Sequence, residues 1–217
     1  PNTPWTEEAS GWASASLLGS GKYLYRFLPQ KKQQVDDYPS MNLAVLRDDF
    51  LEVGGFDSNF WPGEDTKLCL DLVTKTNKKI IYNPKAVVYH HRRPILIPHL
   101  KQNGNFGIHR GFFARVLPQT SFRLIYFIPS LLFLLLLTTP LVVVMAKQFI
   151  LFITIQYLYL VLIFSYFGLL LLNAVWILSH SKKVFQAIIS LPVILVTHLW
   201  YGYRFLQGFL FTDKLTK

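Results

Sequence analysis

The chain has 217 residues, of which 52% are hydrophobic, and its formal net charge is +10 at pH 7. Its one cysteine, Cys69, excludes an internal disulfide and a zinc site built from cysteines. The positive charge alone would suit nucleic-acid binding, but no nucleic-acid-binding motif accompanies it, so no nucleic-acid partner is expected.

Residues 1–124 have the composition of a water-soluble domain, since they hold all but one of the 12 acidic residues. In chain order the sequence predicts a helix over 9–28 broken at its glycines, a polar loop over 29–40, a buried strand over 43–46, helical turns over 48–53, a helix over 64–77, and short strands over 79–82 and 86–89. Helices alternating with strands predict an α/β domain.

Three long apolar runs follow, over residues 125–145, 149–178 and 184–211. The first two contain no charged residue, and the third contains Arg204 alone. About 20 apolar residues cross the hydrocarbon core of a bilayer, so residues 125–217 are predicted to form a helical membrane region with three spans. A buried helix of a soluble core is the alternative, which uncharged runs of this length disfavour.

The segment 92–123, just before the first predicted span, holds six basic residues and no acidic one. Anionic lipid headgroups attract such a segment, so we expect it at the bilayer surface. Positive charge beside a span marks the cytoplasmic side. The sequence therefore predicts an integral, multi-pass membrane protein with its soluble half facing the cytoplasm and its C-terminal tail outside.

Glu64 and Asp65 are the first candidates for chemistry. They follow Gly63 and open a predicted helix, where the helix dipole favours a carboxylate. A carboxylate within hydrogen-bond reach of a sugar hydroxyl can take its proton as a new bond forms. The alternative is that both acids only stabilise the helix end, as acids in a first turn commonly do.

Basic residues downstream could recognise a metal or a phosphate. Histidine binds divalent metals and arginine grips phosphate in a forked geometry, which draws attention to the run His90-His91-Arg92-Arg93. Arg110 lies in a glycine-containing stretch and could also contact phosphate. For both, the alternative is a basic surface beside lipid headgroups. Asp57 could touch a sugar hydroxyl, or it could simply shape its loop.

Several short motifs occur together in one order. They are Asn42-X-Ala44 with Arg47, Gly54-Gly55-Phe56-Asp57, Glu64-Asp65 with Leu68, Pro84-X-Ala86, and Val88-X-His90 with Arg93. In this order and spacing, residues 4–115 resemble the C-terminal half of a membrane-anchored family 2 glycosyltransferase, a family of inverting enzymes with the GT-A fold. The expected fold class is therefore a partial GT-A-like, nucleotide-diphospho-sugar transferase α/β domain over residues 1–124, followed by the helical membrane region.

The resemblance implies transfer of a sugar from a nucleotide-sugar donor to a lipid-linked or polysaccharide acceptor. It implies that Asp65 is the general base, with Glu64 beside it. It also implies Mg or Mn as cofactor, for which His90 and His91 are the candidate ligands in this chain. The candidate substrate-binding residues are Asn42, Gly55, Asp57, Arg93 and Arg110.

Two patterns of the family are missing from the sequence. The Asp-X-Asp motif that holds the metal does not occur, nor do the strand and loop that would hold the nucleotide, so we expect this chain to lack the N-terminal, donor-binding half. The Gln-X-X-Arg-Trp pattern of processive synthases is also missing near Gln102, which favours addition of a single sugar.

An alternative function is a non-catalytic membrane component, or a degenerate transferase, that binds glycan or organises a complex. A channel or carrier is disfavoured, because a translocation path would carry more polar groups within the spans.

Overall fold

The computed structural model describes residues 3–215 and is 71% helical. Its helices are α1 (Trp5–Ser14), α2 (Leu17–Ser20), α3 (Arg47–Glu52), α4 (Glu64–Lys75), α5 (Ile97–Val116), α6 (Pro118–Ser121), α7 (Leu124–Ala146), α8 (Ile150–Ser181) and α9 (Val184–Phe211). The strands are β1 (Gln33–Val35) and β2 (Ile80–Tyr82), and 3₁₀-helical turns cover Gly21–Arg26, Ser40–Asn42 and Ser58–Phe60.

Within the described residues, β1 and β2 form a two-stranded antiparallel sheet that pairs Gln33 with Tyr82 and Val35 with Ile80. A GT-A-like α/β domain is therefore not confirmed. The segments 43–46 and 86–89, predicted as strands, have no regular structure, and β1 lies in a predicted loop. Residues 43–46 are less buried than their apolar pattern predicts: Leu43 and Val45 are partly buried against the cluster that contains Leu68 and Leu72 of α4, while Leu46 is 70% exposed. No strand within residues 3–215 pairs with this segment.

The helices predicted near residues 48–53 and 64–77 are confirmed as α3 and α4. The helix predicted over 9–28 is divided into α1, α2 and a 3₁₀ turn. The largest omission is α5, a 20-residue helix within the basic segment 92–123. It was not predicted because its glycines disfavour an isolated helix.

The same glycines place α5 directly against α9. A Cβ atom on Gly107 would lie 2.7 Å from the carbonyl oxygen of Tyr201, and one on Gly111 would overlap the carbonyl oxygen of Phe205. From α9, a Cβ on Gly208 would overlap the carbonyl oxygen of Ile108. Small residues at these positions let the two helix backbones touch, as they do between membrane helices.

We expect Gly111→Ala to lower the free energy of unfolding by about 1–3 kcal/mol, because the added methyl group must push α5 away from α9. Gly168→Ala on α8 is the matched control, since a Cβ there meets no atom within 4 Å. Thermal unfolding of the purified variants in detergent measures the difference. Equal melting temperatures for the two variants would contradict the close packing.

The three apolar helices α7, α8 and α9 are confirmed within a few residues of their predicted bounds. Their lengths are 23, 32 and 28 residues and their mean hydropathies are 2.4, 2.3 and 1.7, so each is long and apolar enough to cross a membrane. This agrees with association of the chain with a lipid bilayer.

Candidate functional site

Asp37 is a buried carboxylate that connects separate elements of residues 3–123. It follows β1 and is 8% exposed. Arg110 Nη2 donates to Asp37 Oδ2 at 2.9 Å, and Thr66 Oγ1 donates to the same oxygen at 3.3 Å. Arg26 Nη2 donates to the other oxygen, Oδ1. One carboxylate thus joins a 3₁₀ turn, α4 and α5.

The two guanidinium groups keep Asp37 ionised. Burial by itself would raise the pKa of Asp37, but the charges of Arg110 and Arg26, with hydrogen bonds from Arg110 and Thr66, lower it to about 2. Burial would likewise lower the pKa of Arg110, yet Tyr126 and Asp37 raise it above its ordinary value. Two arginines against one aspartate leave an excess of positive charge in this cluster.

Arg110, predicted as a substrate-binding residue, is part of this cluster. Besides Asp37 it contacts Ser121, to which Nη1 donates at 3.1 Å, and its guanidinium carbon lies 5.1 Å from the centre of the Tyr126 ring. Both terminal nitrogens of Arg110 therefore donate to partners within the protein. The sequence analysis missed Asp37, because its partner on α5 is 73 residues away and the residue sits in a polar, loop-like stretch.

Glu64 and Asp65 open α4, as predicted. Asp65 Oδ1 accepts a hydrogen bond from the Thr66 amide at 2.7 Å, and Oδ2 accepts one from the Ser40 amide at 3.3 Å. Asp65 is partly exposed, and no ion pair among the described residues includes it. Glu64 Oε2 is buried with no hydrogen-bond partner in residues 3–215.

The start of α4 is tied to the Asp37 cluster through one side chain. Thr66 follows Asp65 directly, and its hydroxyl donates to Asp37. The amide of Thr66 holds Asp65 while its side chain holds Asp37. The direction of the Asp65 carboxylate therefore depends on a buried ion cluster as well as on the helix.

A cleft of about 640 Å³ opens beside this site, between α1, the 3₁₀ turn Gly21–Arg26 and residues 84–92. Its polar lining includes Glu7, Arg26, Asn42, His90, His91 and Arg92. A second cleft of about 580 Å³ shares Tyr38, Met41 and Asn42 with the first. Asp65 lines neither cleft, but it accepts a hydrogen bond from the amide of Ser40, which lines the second cleft.

Arg92 is the arginine of the His-Arg run that faces this cleft. Its guanidinium carbon lies 4.5 Å from the centre of the Phe27 ring, and its Nη2 is buried without a hydrogen-bond partner in residues 3–215. Burial lowers its pKa. Arg93, which the sequence motif singled out, is exposed and is not among the residues of either cleft.

The two histidines are exposed on the cleft wall, and His91 Nδ1 lies 2.9 Å from Glu7 Oε2. Across residues 3–215, no three His, Cys, Asp or Glu side chains come together closely enough to hold a metal ion. These donors do not fit a metal site by themselves, so no chemical step is assigned here to Mg or Mn.

The remaining candidates have local roles. Asn42 Nδ2 donates to the carbonyl oxygen of Ala86 at 3.0 Å and so joins two walls of the first cleft. Gly54 and Gly55 end α3 with φ of +87° and +71°, a left-handed turn that suits glycine. Asp57 Oδ1 accepts from the Asn59 amide at 2.9 Å and caps a 3₁₀ turn. Gly55 and Asp57 line neither cleft.

Comparison of the chain with protein-family models, with curated proteins and with solved structures finds no match.

Proposed function

We propose that this protein is a membrane-bound inverting glycosyltransferase, with Asp65 as its general base. The observation that carries the proposal is the placement of Asp65: a partly exposed carboxylate at a helix start, held by two backbone amides and by no ion pair among the described residues. The second amide, which comes from Ser40 in another segment, helps to fix the direction of the carboxylate. The motif order of the sequence gives the proposal its family.

In the proposed reaction an acceptor hydroxyl donates its proton to Asp65 as its oxygen attacks the anomeric carbon of the donor sugar. The bond from that carbon to the nucleotide diphosphate breaks, and the diphosphate leaves with the bonding electrons. Attack from the face opposite the leaving group inverts the anomeric configuration. General-base assistance of this kind contributes on the order of 10²- to 10⁴-fold in rate.

The lining of the 640 Å³ cleft supports binding of an anionic substrate. Arg26 and Arg92 both line it, and Arg26 Nε and Arg92 Nη2 are buried without hydrogen-bond partners in residues 3–215. Buried donors without partners cost free energy, which a phosphate oxygen would recover. Arg92 is thus the better phosphate candidate in this proposal than Arg93 or Arg110.

The apolar helices favour an acceptor that is itself held in the bilayer, such as a lipid-linked glycan. The excess of Lys and Arg before α7 favours the cytoplasm for residues 3–123. The resemblance also implies Mg or Mn, whose ligands would have to come in large part from outside the residues described here.

A second candidate function is a non-catalytic membrane component, or a degenerate transferase, that binds glycan. The absence of Asp65 from the lining of both clefts favours it. On this reading the clefts bind glycan or anion, and no bond is made or broken.

The two functions are separated by incubating membranes that contain the full-length protein with a panel of radiolabelled nucleotide sugars. We expect label in the lipid or polysaccharide fraction, with inversion at the anomeric carbon by NMR of the product. Membranes without the protein are the control. Saturable binding of glycan with no covalent incorporation from any donor would support the non-catalytic component instead.

A further inference from the structure

We infer that α9 does not cross the bilayer but lies along its surface, on the side of residues 3–123. The partner of this helix is the lipid surface next to the spans. Only α7 and α8 then cross, as a hairpin, and both ends of α9 face one compartment. The inference concerns membrane topology and does not depend on sugar transfer.

The first observation is that the end of α9 lies beside the start of α7. In an up-down-up bundle of three spans, the end of the third helix lies beside the end of the first. Here the Phe209 ring centre lies 6.5 Å from that of Phe122 and 5.6 Å from that of Phe127, both at the start of α7. About one turn after Phe127 on α7, Ser130 Oγ donates to the carbonyl oxygen of Gly202 on α9 at 3.0 Å.

The start of α9 lies on the same side. Helices α7 and α8 are joined by residues 147–149 and contact each other through Thr138 and Tyr159, whose hydroxyl oxygens are 3.1 Å apart. Because α7 starts on the side of residues 3–123, α8 ends there. Only residues 182–183 separate that end from α9. Helix α9 therefore begins on the side where α7 begins, and its first half packs against the last half of α8, where His198 Nδ1 lies 2.9 Å from the Tyr166 hydroxyl.

Residues of the N-terminal half contact α9 at its start, its middle and its end. Lys183 Nζ lies 2.8 Å from Glu8 Oε1 just before the first turn. In the middle, His99 lies between Ser10 Oγ at 2.8 Å and Thr197 Oγ1 at 2.9 Å. After the last turn, Arg115 Nη2 donates to the carbonyl oxygen of Thr212.

These contacts exclude a simple span. A 28-residue helix is about 42 Å long, which exceeds the roughly 30 Å of the hydrocarbon core. If α9 crossed, Glu8 and Arg115 would lie in opposite compartments, and α5, with Lys101 and Arg110, would have to cross beside it. A basic residue at the centre of a membrane helix is strongly unfavourable.

The exposed surface of α9 fits a helix lying on lipid. Its exposed large side chains recur on one face along the whole helix and include Phe185, Ile188, Val196, Trp200, Tyr203 and Leu210. The opposite face is buried against the rest of the protein through Ala187, Ile194 and Phe205. Helices that lie in the interface bury such an apolar face about 5–10 Å into the headgroup region, and Trp and Tyr are favoured there.

This topology differs from the sequence prediction, which placed three spans and an outer C-terminal tail. It also places Lys214, a basic residue of the tail, on the same side as the basic segment 92–123, as basic residues beside spans favour. In this topology the chain crosses the bilayer through α7 and returns through α8, so α9 and the tail lie on the side of residues 3–123.

The test is labelling of single introduced cysteines in intact cells with a membrane-impermeant maleimide, using the full-length protein without other exposed cysteines. Cys69 is fully buried. The sites are Lys31→Cys in the soluble half, Gln148→Cys between α7 and α8, and Asp213→Cys after α9. We expect Asp213→Cys to behave like Lys31→Cys, and Gln148→Cys to give the opposite result.

Labelling of Asp213→Cys together with Gln148→Cys, or one result for all three sites, would overturn the inference. Reporter fusions provide a second measurement if a cysteine variant is not produced. A reporter fused after residue 217 should match the compartment of residues 3–123, and one inserted at residue 148 should not.

Discussion

Replacing Asp65 by Asn in the full-length protein is expected to lower sugar transfer by on the order of 10²- to 10⁴-fold, the contribution of a general base. Asparagine keeps the size of the side chain, and its amide oxygen can still accept from the Ser40 or Thr66 amide. It cannot take a proton from the acceptor hydroxyl. The loss should therefore fall on turnover, with the melting temperature little changed.

Asp48→Asn is the matched control for this variant. Asp48 is an exposed acid in the first turn of α3, as Asp65 is an acid in the first turn of α4. If first-turn acids matter only for helix stability, both variants should lose a little stability and retain transfer. Undiminished incorporation of sugar by Asp65→Asn would remove the proposed base, whatever the other substitution does.

The second large effect is expected at Asp37, where Asn should destabilise the fold by about 3–5 kcal/mol. The substitution leaves Arg26 and Arg110 facing each other in a buried site with no carboxylate between them. Net stabilities are only about 5–15 kcal/mol, so much of the variant protein should fail to fold. Yield of detergent-soluble monomer and its melting temperature measure the loss.

Asp36→Asn is the control next to it in the chain. The Asp36 side chain is 66% exposed and pairs with Arg123 at the surface, so its removal should cost less than about 1 kcal/mol. The double variant Asp37→Asn/Arg110→Met should recover part of the loss, because it removes one of the two unpaired charges. Equal stability of Asp36→Asn and Asp37→Asn would contradict the role of the cluster.

The same cluster has a defined pH dependence. The pKa of Asp37 is lowered to about 2 in the folded protein, against about 3.9 for an unfolded chain. Its stabilising contribution is therefore fully present above pH 4 and is lost as pH falls through 2.

Sequence patterns predicted the elements whose buried face is defined by residues close together in the sequence. Helix α4 follows from Leu68, Leu72 and the acids of its first turn, and the long apolar helices follow from length and composition alone. Helix α5 could not be predicted, because Gly107 and Gly111 weaken a helix in isolation and gain their value only against α9. The arrangement of α7, α8 and α9 depends on contacts between distant residues, which composition does not contain.

The candidate site divides in the same way. Placement of Asp65 at a helix start was predictable from Gly63 and the pattern that follows it. The Asp37 cluster was not, since its partners come from three separate elements. Choosing Arg92 over Arg93 also needed the fold: neighbouring residues in an extended segment point apart, and only the structure tells which one enters the cleft.

Asp37 accepts hydrogen bonds from Thr66 at the start of α4 and from Arg110 on α5. These two bonds connect the start of α4 to α5, which in turn packs against α9. A domain trimmed at residue 123 would lose the helix against which α5 rests. The side chain of Asp65 would then be held less firmly in its orientation. On the proposed function, substitutions in α9 should therefore lower sugar transfer without contacting the substrate, and the surrounding lipid should affect the rate.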